Sequence, residues 1–215
     1  GFTGSVGLGK EIHNVIKKRG LLNHDVILGT SLVDMYAKCG FLDKARKVFD
    51  DLSVRNIVTW NALIAGYANN GCGKEAIDCY SELQEEIGIL PNEVTFGCLL
   101  KACGSERHID KGEEIHAEIS KRGLLKNNIV LGNTLVDMYV KCGLLTKAKE
   151  AFDELRRRDV VSWTTIISGY IEHGYGDEAL ACLKKMQKDN LDMDNAIFLC
   201  SLKVCILVRD ISQGQ

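Results

Sequence analysis

The chain has 215 residues, with 27 basic side chains against 29 acidic ones and 46% hydrophobic residues. That balance excludes a protein that grips phosphates by bulk positive charge, while the length allows a large apolar area to be buried. No apolar run reaches the roughly 18 residues of a membrane-crossing helix, and the first residues carry no signal- or transit-peptide pattern, so no membrane contact is expected.

Residues 26–84 recur at 129–187 with a constant offset of 103 and 28 identities in 59 positions, and Gly9–Leu22 recurs as Gly112–Leu125 with 10 in 14. Finer units of 31, 35 and 36 residues lie inside that offset, each a pair of helix-length apolar patterns split by a glycine-containing turn. Periods in this range predict an all-α solenoid of helical hairpins, stabilised between neighbours without a single central core.

In chain order, a stripe of Gly9, Ile12, His13 and Ile16 comes first, then a turn at Cys39-Gly40 and a second helix on Ala45, Val48, Phe49 and Leu52. Trp60, Leu63, Ile64 and Tyr67 have the i, i+3, i+4, i+7 spacing of one buried helical face. After Gly71-Cys72-Gly73 come Ala76, Cys79, Tyr80 and Leu83. The second copy repeats the series: Gly112, Ile115, His116, Ile119; a turn at Cys142-Gly143; Ala148, Ala151, Phe152, Leu155; Trp163, Ile166, Ile167, Tyr170; a turn at Gly174-Tyr175-Gly176; Ala179, Cys182, Leu183, Met186. Glycine suits those turns because it takes positive φ at little cost. A last helix is expected over Asn195–Ile206. Gly1 aligns with Gly104, in a turn between helices, so the chain is read as part of a longer array.

Three chemical-looking strings carry less than they promise. Gly4–Glu11 fits G-x-x-x-x-G-K, but Glu11 stands where a magnesium-binding Ser or Thr belongs and no strand precedes it, so a helix–helix turn is expected. His116-Ala117-Glu118 matches half of a zinc deaminase signature whose P-C-x-x-C half is absent, and the copy at His13-Asn14-Val15 lacks the Glu. Both histidines lie on the apolar stripes and are expected to pack. The nine cysteines include no C-x-x-C and read as small buried hydrophobes in a reducing compartment. No metal, no cofactor and no catalytic residue is expected, and the chain is read as a non-enzyme.

Runs such as Leu32-Val-Asp-Met-Tyr-Ala-Lys-Cys-Gly40, Ala45-Arg-Lys-Val-Phe-Asp50, Ile57-Val-Thr-Trp-Asn-Ala-Leu-Ile-Ala-Gly-Tyr67 and Leu99-Leu-Lys-Ala-Cys103 resemble the pentatricopeptide repeat family of land plants over nearly the whole chain. The resemblance implies a right-handed α-solenoid of stacked helix-turn-helix repeats. Their order is similar to the P-L-S subclass, with S repeats at 26–56 and 129–159, P repeats at 57–92 and 160–194, an L repeat at 93–128, and partial L repeats at 1–25 and 195–215. It further implies sequence-specific binding of single-stranded RNA in a plastid or mitochondrion, as part of an RNA-processing or C-to-U editing factor, with editing-complex proteins as further partners. The catalytic extension of that subclass is not among these residues. Trp60, Leu63, Tyr67, Ala76 and Tyr80 also fit tetratricopeptide spacing, which would make a peptide-binding scaffold. Against that stand the unequal repeat lengths, Ile64 where a glycine belongs, and Gly88 where a proline belongs.

By the family's pattern, the fifth and last residues of a repeat address one base, and the second residues of successive repeats sandwich it. The reading pairs are then Thr30 with Asn56, Asn61 with Asn92, Asn133 with Asp159, and Thr164 with Asp194. The sandwiching residues are Ile27, Val58, Val94, Val130 and Val161. A short Thr leaves room for a purine and Asn reaches a pyrimidine; a terminal Asp accepts from the imino N–H of G or U, whereas a terminal Asn donates to the bare ring nitrogen of A or C. Gly97, paired with Asn128 in the L repeat, has no side chain to read with. The implied target is 5′-A-C/U-N-U-G-3′. Thr, Asn and Asp at helix starts and ends are also ordinary caps, which is the alternative to a reading role.

Overall fold

A computed structural model describes residues 2–23, 25–188 and 195–213, and among them every regular element is helical. The helices are α1 (Phe2–Lys18), α2 (Val26–Lys38), α3 (Leu42–Asp50), α4 (Ile57–Asn69), α5 (Gly73–Glu85), α6 (Glu93–Glu106), α7 (Ile109–Lys121), α8 (Ile129–Lys141), α9 (Leu145–Glu154), α10 (Val160–Glu172), α11 (Gly176–Lys188) and α12 (Asn195–Gln213). The chain forms two compact units, Gly1–Ala102 and Cys103–Gln215.

In the first unit α2 packs on α3 and α4, and α4 on α5. The stripes read from the sequence are the faces that close: Ala45, Val48 and Phe49 of α3, Trp60, Leu63 and Ile64 of α4, and Ala76, Cys79, Tyr80 and Leu83 of α5 are all buried. Phe49 meets Trp60 edge-on at 4.5 Å between ring centroids, an arrangement favoured by the ring quadrupoles. A Cβ at Gly66 would lie 2.6 Å from the Cβ of Ala37, so α4 and α2 approach through two small residues. Arg46 of α3 grips Glu82 of α5 bidentately at 2.9 and 2.8 Å while its Nε donates to Asp50 at 3.0 Å.

The second unit repeats this plan: α8 packs on α9 and α10, and α10 on α11 and α12. Phe152 meets Trp163 edge-on at 4.8 Å. A Cβ at Gly169 would come within 2.6 Å of Val140, the same close crossing as at Gly66. Lys147 of α9 pairs with Glu113 of α7. The turns between paired helices fall at Gly40, Gly71, Gly143 and Gly174, with φ from 76° at Gly71 to 81° at Gly174.

Four expectations need correction. Gly4–Glu11 is not a turn but lies inside the continuous helix α1. No proline or N-cap interrupts it, and a glycine within a helix costs only about 1 kcal/mol, whereas its counterpart breaks at Arg107, where φ is 55°. The last helix runs on to Gln213 rather than ending at Ile206. Ile12 is 46% exposed while its counterpart Ile115 is buried, so the apolar stripe of α1 is not closed at that position among the described residues. Of the nine cysteines, Cys79, Cys103, Cys182 and Cys200 are buried, Cys39, Cys72, Cys98 and Cys142 are half-buried, and Cys205 is exposed. Desolvation pushes the thiols of Cys79 and Cys103 up to about 12, so both are unreactive at neutral pH.

The two histidines pack as expected. His13 lies edge-on to Tyr36 and His116 to Tyr139, with Nδ1 3.0 and 2.8 Å from the tyrosine hydroxyls. Burial lowers the pKa of both rings, with the nearby Lys17 adding to the effect at His13 and Glu154 opposing it at His116. Neutral imidazoles are what this packing favours.

Candidate nucleic-acid interface

Helices α2, α4, α6, α8 and α10 each start from an Asp or Asn whose side chain takes up free N–H groups of the first turn, and Asp25, Asn56 and Asp159 do so from extended backbone. Asp25 Oδ1 accepts from Ile27 and Leu28 at 2.9 and 3.1 Å, and Asn56 Oδ1 from Val58 and Thr59 at 2.9 and 3.0 Å. At α6, Asn92 Oδ1 accepts from Val94 and Thr95, both at 3.1 Å. Asn128 Oδ1 takes the Leu131 N–H at 3.0 Å, and Asp159 Oδ1 the Ser162 N–H at 2.8 Å. Because a backbone N–H can only donate, the capping atom of each Asn is its oxygen, which fixes the amide's orientation.

Capping uses one atom of each side chain and leaves the other. Nδ2 of Asn56, Nδ2 of Asn92 and Oδ2 of Asp159 have no partner among the described residues. Asn56 and Asn92 therefore present donors, and Asp159 an acceptor. Burial alone would raise the Asp159 pKa, but hydrogen bonds from the Ser162 N–H, the Ser162 hydroxyl and Asn133 outweigh it and hold the carboxyl below its usual value.

Two of the sequence-derived pairs are in direct contact. Asn61 Nδ2 donates to Asn92 Oδ1 at 3.1 Å, and Asn133 Nδ2 to Asp159 Oδ1 at 3.2 Å. Thr30 and Asn56 meet only through Thr59, whose Oγ1 lies 2.8 Å from Thr30 Oγ1 and 3.2 Å from Asn56 Oδ1. Thr164 instead turns its hydroxyl back onto the carbonyls of Val160 and Val161, at 2.9 and 3.1 Å. Its expected partner Asp194 lies outside the described residues. Gly97 is half-buried on α6, and Asn128 acts as the cap of α8.

Ile27, Val58, Val94, Val130 and Val161 all occupy the second position of a first helix, and all are exposed, from 55% at Val161 to 74% at Ile27. These aliphatic side chains recur in solvent at one register, unlike the buried stripes of the same helices.

Two groups of residues escaped the sequence reading. Thr59, Thr95 and Ser162 are fully buried polar residues three positions beyond their caps. Asn92 with Thr95 and Asp159 with Ser162 exchange hydrogen bonds with each other's backbone N–H as in a capping box, and the Asn or Asp three residues before a hydroxyl is the spacing that could have revealed them. Arg55 and Arg158, each one residue before a cap, stack on Phe49 and Phe152 at 4.8 and 4.9 Å from the ring centroid. Arg55 donates to the carbonyls of Phe49 and Asp50, both at 3.2 Å, and Arg158 to those of Phe152 and Asp153 at 3.2 and 3.0 Å. Each guanidinium thereby closes the C-terminal end of a second helix and holds the adjoining cap in place.

A sequence profile described as the PPR repeat family matches residues 55–105 and 158–198, and one described as the PPR repeat matches 30–57, 94–124 and 133–160. The chain belongs to the pentatricopeptide repeat family. A chloroplastic pentatricopeptide repeat-containing protein of Arabidopsis thaliana is 41% identical over 197 residues, covering 92% of this chain and 31% of its own length. A mitochondrial one from the same plant is 36% identical over 215 residues, covering all of this chain and 21% of its own. The chain thus spans about a third or less of these relatives. Among solved structures, the pentatricopeptide repeat protein PPR10 in complex with an 18-nucleotide psaJ RNA element superposes with a TM-score of 0.73 at 20% identity, over 94% of this chain and 30% of that one. PPR10 from maize gives 0.66 at 19% identity, over 86% and 29%. These likenesses show the fold, an all-α helical-repeat solenoid.

Proposed function

We propose that this chain binds single-stranded RNA, one base to each reading pair, as the specificity-giving part of an organelle RNA-processing or C-to-U editing factor of P-L-S type. The observation that carries this reading is the divided use of Asn56, Asn92 and Asp159, each the last residue of its repeat: one atom caps a helix, and the other is without a partner among the described residues at the start of the same helix turn that carries an exposed aliphatic. Donors at Asn56 and Asn92 suit A and C, the acceptor at Asp159 suits U, and the exposed Ile and Val side chains offer apolar surface to base faces. The PPR10 neighbour bound to RNA and the chloroplastic and mitochondrial relatives support the ligand class and the compartment. The framing into S, P and L repeats and the target 5′-A-C/U-N-U-G-3′ are part of this proposal, with editing-complex proteins as further partners.

Fluorescence anisotropy tests it. A single-stranded RNA carrying the target should bind better than the same sequence in a duplex and better than an acidic peptide, with moderate salt dependence, because few phosphates are neutralised. Preference for a peptide would favour the scaffold reading and overturn this one.

A further inference from the structure

We propose that the third residue of a repeat belongs to the reading group, as a positioning residue that orients the fifth side chain of the repeat before it. This rests on the base-reading function proposed above. The residues are Thr59, acting on Thr30, and Thr95, acting on Asn61, with Ser162 as a shorter variant beside Asn133.

Proton accounting at Thr95 shows how the orientation is set. Its Oγ1 accepts the Asn92 N–H at 3.1 Å and lies 2.7 Å from Asn61 Oδ1 and 3.1 Å from Asn92 Oδ1. Asn92 Oδ1 already takes hydrogens from Val94 N, Thr95 N and Asn61 Nδ2, whereas Asn61 Oδ1 has no other donor. The single hydroxyl proton therefore goes to Asn61 Oδ1. That bond locks the amide with its nitrogen toward Asn92, so that one N–H of Asn61 is held inside and the other is left to a ligand. At Ser162 the hydroxyl lies 2.9 Å from Asp159 Oδ1 and donates there, and Asn133 Oδ1 stays buried without a partner. Asn133 is thus held by one bond where Asn61 is held by two.

The two threonines at fifth positions supply an internal contrast. Thr30 faces the Thr59 hydroxyl and bonds to it at 2.8 Å. Thr164 has Ile197 at the corresponding third position, and its hydroxyl folds back onto Val160 and Val161 of its own helix. The sequence follows the same rule where no reader exists: after Gly97 the third residue of the next repeat is Leu131.

The test is Thr95→Val, which keeps the shape and removes the hydroxyl, with Thr95→Ser as the rescuing variant and Asn92→Asp in parallel, all in the 215-residue chain. Anisotropy is read on RNAs differing only at the second target position, and the side-chain amide of Asn61 is followed by hydrogen exchange. Thr95→Val should cut discrimination at that position by about tenfold, the worth of one net hydrogen bond. It should also speed Asn61 amide exchange and leave the other positions unchanged, and Thr95→Ser should restore both readouts. Equal weakening of every RNA, or unchanged discrimination, would overturn the proposal. Should Thr95→Val not fold, Thr59→Val read at the first position decides in the same way. Asn92→Asp separates the two levels: if it moves the preference from C toward U while Thr95→Val changes nothing, only the positioning role fails; if it moves nothing, the base-reading function itself fails.

Discussion

Replacing Asp159 by Asn separates the two duties of one side chain. Oδ1 receives the Ser162 N–H at 2.8 Å, the Ser162 hydroxyl at 2.9 Å and Asn133 Nδ2 at 3.2 Å. All three can remain when Oδ1 becomes an amide oxygen, so the cap survives and only the unpartnered Oδ2 turns from acceptor into donor. The stability lost is then the charge–dipole term alone, about 0.3–1 kcal/mol, against about 0.5–2 kcal/mol when Asp159→Ala removes the cap. At roughly 2–4 °C per kcal/mol for a chain of this size, Asn lowers Tm by a few degrees at most. Losing a base contact of about 1–3 kcal/mol to U lowers the U-to-C preference at the fourth target position by roughly 5- to 150-fold, and the new donor facing C adds to that shift. Anisotropy titrations with four RNAs differing at that base measure it. The same base order in both proteins, or one uniform loss across all four, would refute the reasoning. The carboxyl sits below its usual value, so it is ionised throughout pH 5–8 and the wild-type preference should be flat there. Its stabilising contribution is present at neutral pH and is lost only as pH falls below about 4.

Val130→Ser and Val161→Ser remove exposed apolar surface, so they should change folding by less than about 0.5 kcal/mol and lower RNA affinity several-fold without altering base order; a shift in order would mean these residues read rather than sandwich. Gly66→Val places methyls where Ala37 already lies within 2.6 Å of a Cβ, an overpacking that costs about 1–3 kcal/mol, seen as a lowered urea midpoint with an unchanged slope. Because burial lowers the His116 pKa below 6.5, the unfolded chain binds more protons than the folded one, so the contribution is complete above about pH 6.5 and is lost as pH drops below it. Urea midpoints at pH 7.5 and 5.5 should diverge in the wild type and diverge less in His116→Gln, where His13 with its own lowered pKa remains; an equal divergence in both would remove His116 as a cause.

The helical pairs were legible because Trp60, Leu63, Ile64 and their copies repeat a helical period twice, 103 residues apart, and packing demands that period wherever the helix lies. The caps were legible for a local reason: Asn and Asp before an apolar run satisfy the first-turn N–H groups. What stayed hidden depends on contacts between hairpins. Thr59 and Thr95 look like solvent-facing polar residues until the fifth side chain of the previous hairpin is beside them. Arg55 and Arg158 show nothing of their carbonyl bonds until the chain turns back over Phe49 and Phe152. The glycines of α1 misled the reading because a turn glycine and a tolerated helical glycine are the same letter. The exposure of Ile27, Val58, Val94, Val130 and Val161 runs against their hydrophobicity, and only the resemblance to a family pointed to it.

The central claim, that side-chain pairs on successive hairpins address successive bases, is tested most directly by selecting RNA from a randomised single-stranded pool with this chain and sequencing what is retained. The account predicts enrichment of A-C/U-N-U-G in that 5′ to 3′ order, with the third position open because Gly97 has no side chain there. Recovery of no ordered motif, or of one unrelated to these pairs, would contradict it.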